Sequence, residues 1–282
     1  MPHPTAPRRG RINIQLLIAG FIALSAIVSY VMRMERDPLT GELRALALSP
    51  EQEVQMGKQA APKMADQMGG AIDPQRSREA ARVQQIGQRL VQNYKAAEGK
   101  YAKSFNFYLL ADDRTVNAFA LPGGQIFITS ALYNALENEA QLAGVLGHEI
   151  GHVVHRHSSE QMAKSELGQK LVGAVAVGSG DYSTAMIANV VNQAVNQSYG
   201  RNDELESDSW GLENMAAAGY DPRELIVVMQ VLKKASGGGG RGPDIFASHP
   251  DPDHRIEVIK SYLQKRWPSG MPSNLSRGER LR

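Results

Sequence analysis

The stretch "LGHEIGHVVHRH", residues 146–157, constrains the fold of this chain most, because it holds four of the seven histidines. Apolar residues recur around it at the spacing of one buried helix face, and they are Leu142, Leu146, Ile150 and Val153 or Val154. This spacing predicts a helix on which His148 and His152 lie one turn apart on the same side. Two imidazole nitrogens placed in this way can reach one zinc ion at about 2.0–2.1 Å.

Between these two histidines, Glu149 completes the pattern H-E-x-x-H. We expect its side chain to stand beside the metal, where a general base can take a proton from an activated water molecule. A pattern this short also arises by chance, and the rival interpretation is a polar surface helix rich in histidine. A catalytic metal site therefore needs support from a second element.

The acidic stretch "RNDELESDSWGLENMAAAGYDP", residues 201–222, provides that element, because Glu204 and Asp208 lie four residues apart on a predicted helix. The chain has no cysteine, so a zinc site must use nitrogen and oxygen ligands. We expect Glu204 to be the third ligand, and Asp208 to accept the free N–H of a ligating histidine and so fix its tautomer. The alternative is a solvated acidic helix face.

An uncharged apolar segment covers residues 12–32 and is long enough to cross a bilayer as a helix. Arg8, Arg9 and Arg11 lie in the preceding tail, residues 1–11, which should stay cytoplasmic and send the rest of the chain across the membrane. The alternative is a signal peptide cleaved near "ALSA", residues 23–26. In both cases we expect the folded part to be extracytoplasmic.

The remainder is predicted to contain a polar linker over residues 33–48, a folded domain over 49–268 and a flexible tail over 269–282. Ser49 as N-cap and Gln52 form a capping box, and Pro50 occupies the first helical position, so a helix is predicted to begin there. Aromatic and β-branched residues predict three short strands, within residues 105–111, 115–122 and 125–130. Gly123 and Gly124 should make the hairpin turn between the last two strands.

Helical spacing predicts the other helices, which cover residues 74–98, 131–137, 138–157, 159–177, 183–199, 203–218, 222–234 and 252–264. Residues 235–244 include four consecutive glycines, which should form a mobile loop because glycine loses much entropy when it is ordered. The apolar run from residue 171 to 191 is broken by Gly178, Gly180 and Asp181. It is interpreted as a buried or interfacial helical hairpin, or alternatively as a flap over a cleft.

The formal net charge is only +2, from 31 basic and 29 acidic side chains that are mixed along the chain. Nucleic-acid binding usually needs a long basic stripe, which this sequence lacks. We therefore expect no nucleic-acid partner.

Four motifs resemble, in order, those of the zinc metallopeptidase family that contains HtpX-like proteases, the CaaX prenyl protease and the BepA-like and LoiP-like quality-control proteases. They are "NAFALPGGQIFITSALYNAL", "LAGVLGHEIGHVVHRHS", "RNDELESDSWGLENMAAAGYDP" and "SHPDPDHRIEVI". The resemblance extends over about residues 36–265. It includes "DPLTGELRALALSPEQEVQMGKQ", which resembles the segment at the start of that family's peptidase domain. It departs from the family at Ser207, where the family has alanine, and we expect no helical repeat domain like that of BepA-like members.

The resemblance implies one Zn²⁺ per chain on His148, His152 and Glu204, with Glu149 as the base and Asp208 behind the ligands. It also implies an α+β, predominantly helical fold of the gluzincin type of zincins, with a small sheet beside the HExxH helix. In BepA-like members, a histidine of the "SHP" motif approaches the metal as a removable extra ligand. That residue would be His249, whose other interpretations are a transition-state stabiliser or a loop-packing residue.

The other four histidines are expected to lie outside the metal site. We expect His155 and His157 to be surface or hydrogen-bonded groups, His254 to lie at a helix terminus and His3 to lie in the cytoplasmic tail.

These observations predict a zinc endopeptidase anchored in the bacterial inner membrane, with its catalytic domain in the periplasm, or secreted there after signal cleavage. Its substrates would be unfolded or damaged envelope polypeptides, added as a strand along an edge that contains Asn117 and Ala118. One alternative is an envelope chaperone or adaptor that binds extended polypeptide with little cleavage. Another is a structural zinc site, which three ligands and a neighbouring acid disfavour. The oligomeric state is not predicted.

Overall fold

The computed structural model describes residues 14–37, 40–93, 100–179, 199–236 and 245–282. These residues form an α+β fold that is predominantly helical, as the sequence predicts. The elements, in chain order, are α1 (Ile14–Val31), β1 (Met34–Arg36), β2 (Leu43–Ala45), α2 (Pro50–Gln67), α3 (Arg78–Asn93), β3 (Asn106–Leu110), β4 (Ala118–Leu121), β5 (Gln125–Thr129), α4 (Ser130–Ala135), α5 (Glu139–Val154), α6 (His157–Ser179), α7 (Arg201–Ala217), α8 (Glu224–Ser236), α9 (Ile245–Ser248) and α10 (Pro252–Arg266).

Strands β3, β5 and β4 form one mixed sheet in that order. β3 runs parallel to β5, and β4 runs antiparallel to it. Gly123 and Gly124 make the predicted turn between β4 and β5, where their φ angles of 76° and 102° suit glycine. All residues of β5 are buried, while β4 lies at the edge of the sheet.

Helix α5 is the centre of the domain, because every residue from Ala140 to Val153 is buried. Its N-terminus is capped by Asn138, whose side chain accepts a hydrogen bond from the main-chain N–H of Gln141. The helix packs against α3, α7, α8 and the edge strand β4. It therefore carries the H-E-x-x-H pattern through the middle of the core.

The predicted single helix over residues 138–157 is wrong at its end, because α5 stops at Val154 and α6 begins at His157. Arg156 turns the chain between them with a left-handed φ of 60°. Such a backbone costs a non-glycine residue about 1–2 kcal/mol. The guanidinium of Arg156 offsets this cost by binding the buried carboxylate of Glu53 and the carbonyl oxygen of Leu48.

Residues 34–36 and 43–45, predicted as part of a polar linker, instead form the antiparallel hairpin of β1 and β2, and β2 packs against α6. Asp37, Arg44 and Ala45 are buried. The polarity of the sequence was misleading here, because Arg44 pairs with several carboxylates and the charges need no water. The domain boundary at residue 49 stays a prediction.

The C-terminal residues 269–282, predicted as a flexible tail, are also packed against the domain. The first-turn N–H groups of α5, those of Glu139 and Ala140, donate to the carbonyl oxygens of Glu279 and Arg277. Leu281 is buried in the core. A helix leaves its first N–H groups without partners, and this segment supplies the missing acceptors.

Helix α1 packs along α6 and leaves most of its large apolar side chains exposed. Residues Ile14–Met32 form a helix long and apolar enough to cross a membrane, and no other helix among the described residues meets that description. The predicted N-terminal apolar helix, a signal or an anchor, is therefore confirmed.

Several predictions fall outside the described residues. They are the predicted cytoplasmic tail with His3, the helix over residues 183–199 except its last residue, most of the possible flap, and residues 237–244 of the glycine-rich loop.

Candidate metal centre

Helix α5 presents His148 and His152 on one side, as the spacing predicts. Their Nε2 atoms lie 3.0 Å apart, and both side chains are buried. The two rings meet edge to face at 4.7 Å between centroids. Nitrogen atoms this close in a buried site need a proton or a cation between them.

Glu204 approaches both histidines from the first turn of α7. Its carboxylate oxygens lie 3.4 Å from Nε2 of His148 and 3.4 Å from Nε2 of His152. The approach is close because α5 and α7 meet through small residues, with Gly147 against Gly211 and Gly151 against the backbone of Ser207. The helix contact therefore sets the spacing between the histidine pair and Glu204.

His249 completes the cluster from the residue that follows α9. Its Nδ1 atom lies 3.2 Å from Nε2 of His148 and 3.1 Å from a carboxylate oxygen of Glu204. One ligand atom from each of these four residues lies within 4.8 Å of the others.

These distances fit a metal ion. Ligand atoms held tetrahedrally at about 2.0–2.1 Å from an ion are about 3.3–3.4 Å apart. The measured separations of 3.0 to 3.4 Å come close to this value. Three histidines and one carboxylate form the nitrogen and oxygen set that zinc accepts. The residues present therefore fit a zinc ion.

Asp208 lies behind His148, with its Oδ1 atom 2.9 Å from the outer ring nitrogen Nδ1. The sequence predicted this contact but not the role of Arg255, which binds both oxygens of Asp208 at 2.6 and 2.8 Å. Arg255 also lies 2.7 Å from an oxygen of Glu204. Arg255 belongs to the motif "SHPDPDHRIEVI", and this membership was the only indication in the sequence that it lies near the site.

The buried charges shift the protonation of this cluster. Burial and the charge of Arg255 lower the pKa of His148, but hydrogen bonds with Asp208 and Glu204 outweigh them and raise it to about 9. Burial holds the pKa of His152 well below its usual value. Although burial opposes it, the neighbouring imidazoles of His249, His148 and His152 hold the pKa of Glu204 well below its usual range. Glu204 is therefore a carboxylate suited to bind a cation.

His155 and His157 were predicted to be surface or hydrogen-bonded groups, and the structure shows the second alternative, because both are buried and hydrogen-bonded. Nδ1 of His157 lies 2.9 Å from Nδ1 of His152, and its Nε2 lies 2.7 Å from Glu206. His155 contacts Asp37 at 3.2 Å. His254 is exposed in the first turn of α10, where a helix-terminus residue was predicted.

Tyr199 is a neighbour that the sequence reasoning missed. Its ring stacks on that of His152 at 4.0 Å between centroids, and its hydroxyl group pairs with Ser158. Burial raises its pKa above the usual value. The only indication of Tyr199 in the sequence was its position two residues before the acidic stretch that begins at Arg201.

Glu149 is buried beside the cluster, with Oε1 3.5 Å from Nε2 of His249. An apolar cavity opens on Glu149 and His249. Its walls come mainly from α8 and α9, and they include Leu225, Val228, Met229, Leu232, Ile245 and Phe246. The cavity therefore places apolar walls next to Glu149 and the candidate metal centre.

The edge strand β4 lies alongside α5, but Asn117 and Ala118 differ in what they offer. The main chain of Asn117 pairs with Thr129 inside the sheet, through its own N–H and C=O groups. Because alternate residues of an antiparallel strand face opposite edges, the main-chain groups of Ala118 and Ala120 point away from β5. Ala118 is fully buried, and the binding of substrate by Asn117 and Ala118 stays a prediction.

Comparisons with known proteins find sequence relatives that are named as proteases. The chain is 29% identical over 264 residues to the beta-barrel assembly-enhancing protease of Yersinia pestis, covering 90% of this chain and 52% of that protein. It is 27% identical over 246 residues to the mitochondrial metalloendopeptidase OMA1 of Schizosaccharomyces pombe, covering 87% and 71%. It is 29% identical over 163 residues to the metalloprotease YcaL of Escherichia coli, covering 57% and 62%.

The chain thus spans about half the length of the assembly-enhancing proteases that it matches. A sequence profile of one peptidase family matches residues 77–263, a range that contains the H-E-x-x-H helix, α7 and His249. The chain belongs to Peptidase family M48.

Proposed function

We propose that this protein is a zinc-dependent endopeptidase with one Zn²⁺ per chain, held by His148, His152 and Glu204. The observation that carries the proposal is the near-tetrahedral spacing of buried ligand atoms directly beside Glu149. Zinc fits this donor set better than calcium or magnesium, which prefer oxygen ligands.

Glu149 is the general base in this proposal. When bound, zinc supplies Lewis-acid chemistry that activates water and polarises a peptide carbonyl. The carboxylate of Glu149 takes the proton of the attacking water and passes it to the leaving amine. Its burial beside the apolar cavity excludes competing water from the proton transfer.

His249 is a removable fourth ligand in this proposal. Its Nδ1 atom faces His148 and Glu204 in the way that the other ligand atoms do, and this favours coordination over a role in binding the oxyanion. A catalytic zinc site must keep one position open, so His249 must withdraw before a peptide is cleaved.

Substrates are proposed to bind as an extra strand beside β4, which lies at the edge of the sheet and follows Asn117 directly. Main-chain pairing reads little of the substrate sequence, which suits unfolded or damaged polypeptides. The apolar walls of the cavity favour an apolar side chain over a charged one next to the scissile bond. Similarity to beta-barrel assembly-enhancing proteases supports a quality-control role for envelope proteins.

The proposed location is the bacterial inner membrane, with α1 as a single-pass anchor and the catalytic domain in the periplasm. The exposed apolar surface of α1 and the arginines before it support this orientation. The alternative is release into the periplasm after signal cleavage.

One observation favours a second function, an envelope chaperone or adaptor that binds polypeptide with little cleavage. With His249 in place, all four positions around the metal are filled by protein groups, as in a structural zinc site. A binding protein needs no open position. The position of Glu149 beside these four residues, and the adjoining apolar cavity, favour cleavage instead.

Metal removal tests the proposal. The full-length protein in detergent is incubated with casein, then treated with a zinc chelator, and finally given back one equivalent of Zn²⁺. We expect casein cleavage to stop on chelation and to return with zinc. Casein that is bound but never cleaved would favour the chaperone, and cleavage that persists in the zinc-free protein would contradict the metal mechanism.

A further inference from the structure

His148 and His152 on α5 turn their Nε2 atoms toward each other, and their outer Nδ1 atoms have different partners. The outer nitrogen of His148 meets a carboxylate, that of Asp208. The outer nitrogen of His152 meets a third histidine, because Nδ1 of His152 and Nδ1 of His157 lie 2.9 Å apart. The other nitrogen of His157 lies 2.7 Å from Glu206.

We call the contacts that lead from His152 through His157 and Glu206 to Arg44 the row. Only one arrangement of protons makes each of these contacts a hydrogen bond and also leaves Nε2 of His152 free to bind a cation. Arg44 Nη2 lies 2.5 Å from Oε2 of Glu206, so Glu206 is an ionised carboxylate that can only accept. His157 therefore donates from Nε2 and has a lone pair on Nδ1. His152 donates its Nδ1 proton to that lone pair, which leaves its own Nε2 lone pair facing the cluster.

A second donor is close to Nδ1 of His157 but is weaker. The hydroxyl group of Ser207 lies 3.4 Å away, beyond the usual range for a hydroxyl hydrogen bond. A hydroxyl group can donate or accept, so this contact does not decide the role of His157.

Arg44 comes from strand β2, in the hairpin that follows α1 directly. Its side chain is 6% exposed and lies within 3.6 Å of carboxylates from Asp37, Glu160 and Glu206. A buried arginine among acids fixes the position of each of them, since moving one leaves a buried charge without its partner.

A second metal site is the rival explanation for this region. One ligand atom each from Asp37, His155 and Glu206 lies within 4.8 Å of the others. The guanidinium of Arg44 contacts both of the carboxylates, at 3.6 Å and 2.5 Å. The positive charge that a metal would supply is therefore already present, and the cluster is better explained as the outer end of the row.

We propose that His157 is a positioning residue that fixes the tautomer of His152, and that Arg44 holds it there through Glu206. The hairpin after α1 then becomes part of the metal site, although none of its residues touches the metal. This inference rests on the proposed zinc site, but it concerns metal affinity and not cleavage.

The test measures zinc affinity of the full-length protein in detergent, by competition with a chromogenic chelator. His157→Leu removes the acceptor, and we expect zinc affinity to fall by about 10- to 100-fold. His157→Gln keeps a carbonyl that can accept from His152 and an amide that can donate to Glu206, so we expect it to recover most of the loss. His254→Leu, an exposed histidine on α10, is the matched control and should bind zinc as the wild type does.

Arg44→Met tests the outer end of the row and provides a second variant if His157→Leu does not fold. We expect a smaller loss of zinc affinity than in His157→Leu. In the double variant the two losses should not add, because both act through His157.

Three results would overturn the inference. They are wild-type affinity in His157→Leu, equal losses in His157→Leu and His157→Gln, and fully additive losses in the double variant. A wild-type chain that binds no zinc would overturn the proposed function as well, whereas a chain that binds zinc without cleaving casein would leave this inference standing.

Discussion

Gly151 on α5 meets the backbone of Ser207 on α7 so closely that a Cβ atom at Gly151 would stand 2.8 Å from the Cα atom of Ser207. Real Cβ atoms do not come this close to backbone, so a larger residue must push the two helices apart. His152 follows Gly151 directly, and Glu204 lies one turn before Ser207. The contact therefore fixes the distance between two proposed metal ligands, His152 and Glu204, on different helices.

Gly151→Ala should consequently weaken the metal centre. We expect the free energy of unfolding to fall by about 1–3 kcal/mol through overpacking, and zinc affinity to fall with it. Thermal unfolding and chelator competition measure the two effects. Gly173→Ala on α6 is the control, because no atom lies within 4 Å of the added Cβ and alanine favours a helix. Wild-type stability and affinity in Gly151→Ala would contradict the role of this contact.

Glu204 and Asp208 should respond differently to alanine. Glu204→Ala removes a proposed ligand, so we expect zinc content to drop well below one per chain after gel filtration. Asp208→Ala leaves the ligands in place and should weaken zinc affinity by about 10- to 100-fold. Stoichiometric, tightly held zinc in Glu204→Ala would show that another group is the third ligand.

His249→Ala separates two roles by the sign of its effect on casein cleavage. If His249 caps the open position, its loss should raise the basal rate while zinc stays on the other three ligands. If it binds the tetrahedral oxyanion instead, the rate should fall by about 10²- to 10³-fold with zinc unchanged. Turnover and zinc content are measured on the same preparation, and wild-type values for both would leave His249 as a packing residue.

The sequence could predict what depends on a single helix. His148, Glu149 and His152 follow from helical spacing, and Asp208 follows from the same argument applied to α7. His157 could not be placed in this way. It lies five residues after His152, which in an unbroken helix is about 140° away around the axis. The left-handed turn at Arg156 places His157 next to His152. That turn depends on Glu53, which comes from helix α2.

The buried hairpin shows the same limit. Its charged residues indicated a solvated linker, because local sequence does not reveal which charges will find partners. Arg44 is buried only because Asp37, Glu160 and Glu206 surround it, and two of these lie more than a hundred residues away. The C-terminal segment likewise became ordered by accepting hydrogen bonds from the distant start of α5.

The N-terminal helix gives a prediction about processing. If α1 is an anchor, the mature protein keeps residues 12–32 and fractionates with the inner membrane. The intact mass of the purified protein then corresponds to the uncleaved chain. A mass that begins after the "ALSA" segment, residues 23–26, would establish signal cleavage and a protein released from the membrane.

Glu149→Gln tests the central claim most directly, because it removes the base but no proposed metal ligand. The full-length wild type and the variant are compared for zinc per chain, thermal unfolding and casein cleavage. We predict one zinc per chain and unchanged unfolding in both, with cleavage at least about 100-fold slower in the variant. Casein cleavage at the wild-type rate by zinc-loaded Glu149→Gln would contradict the account.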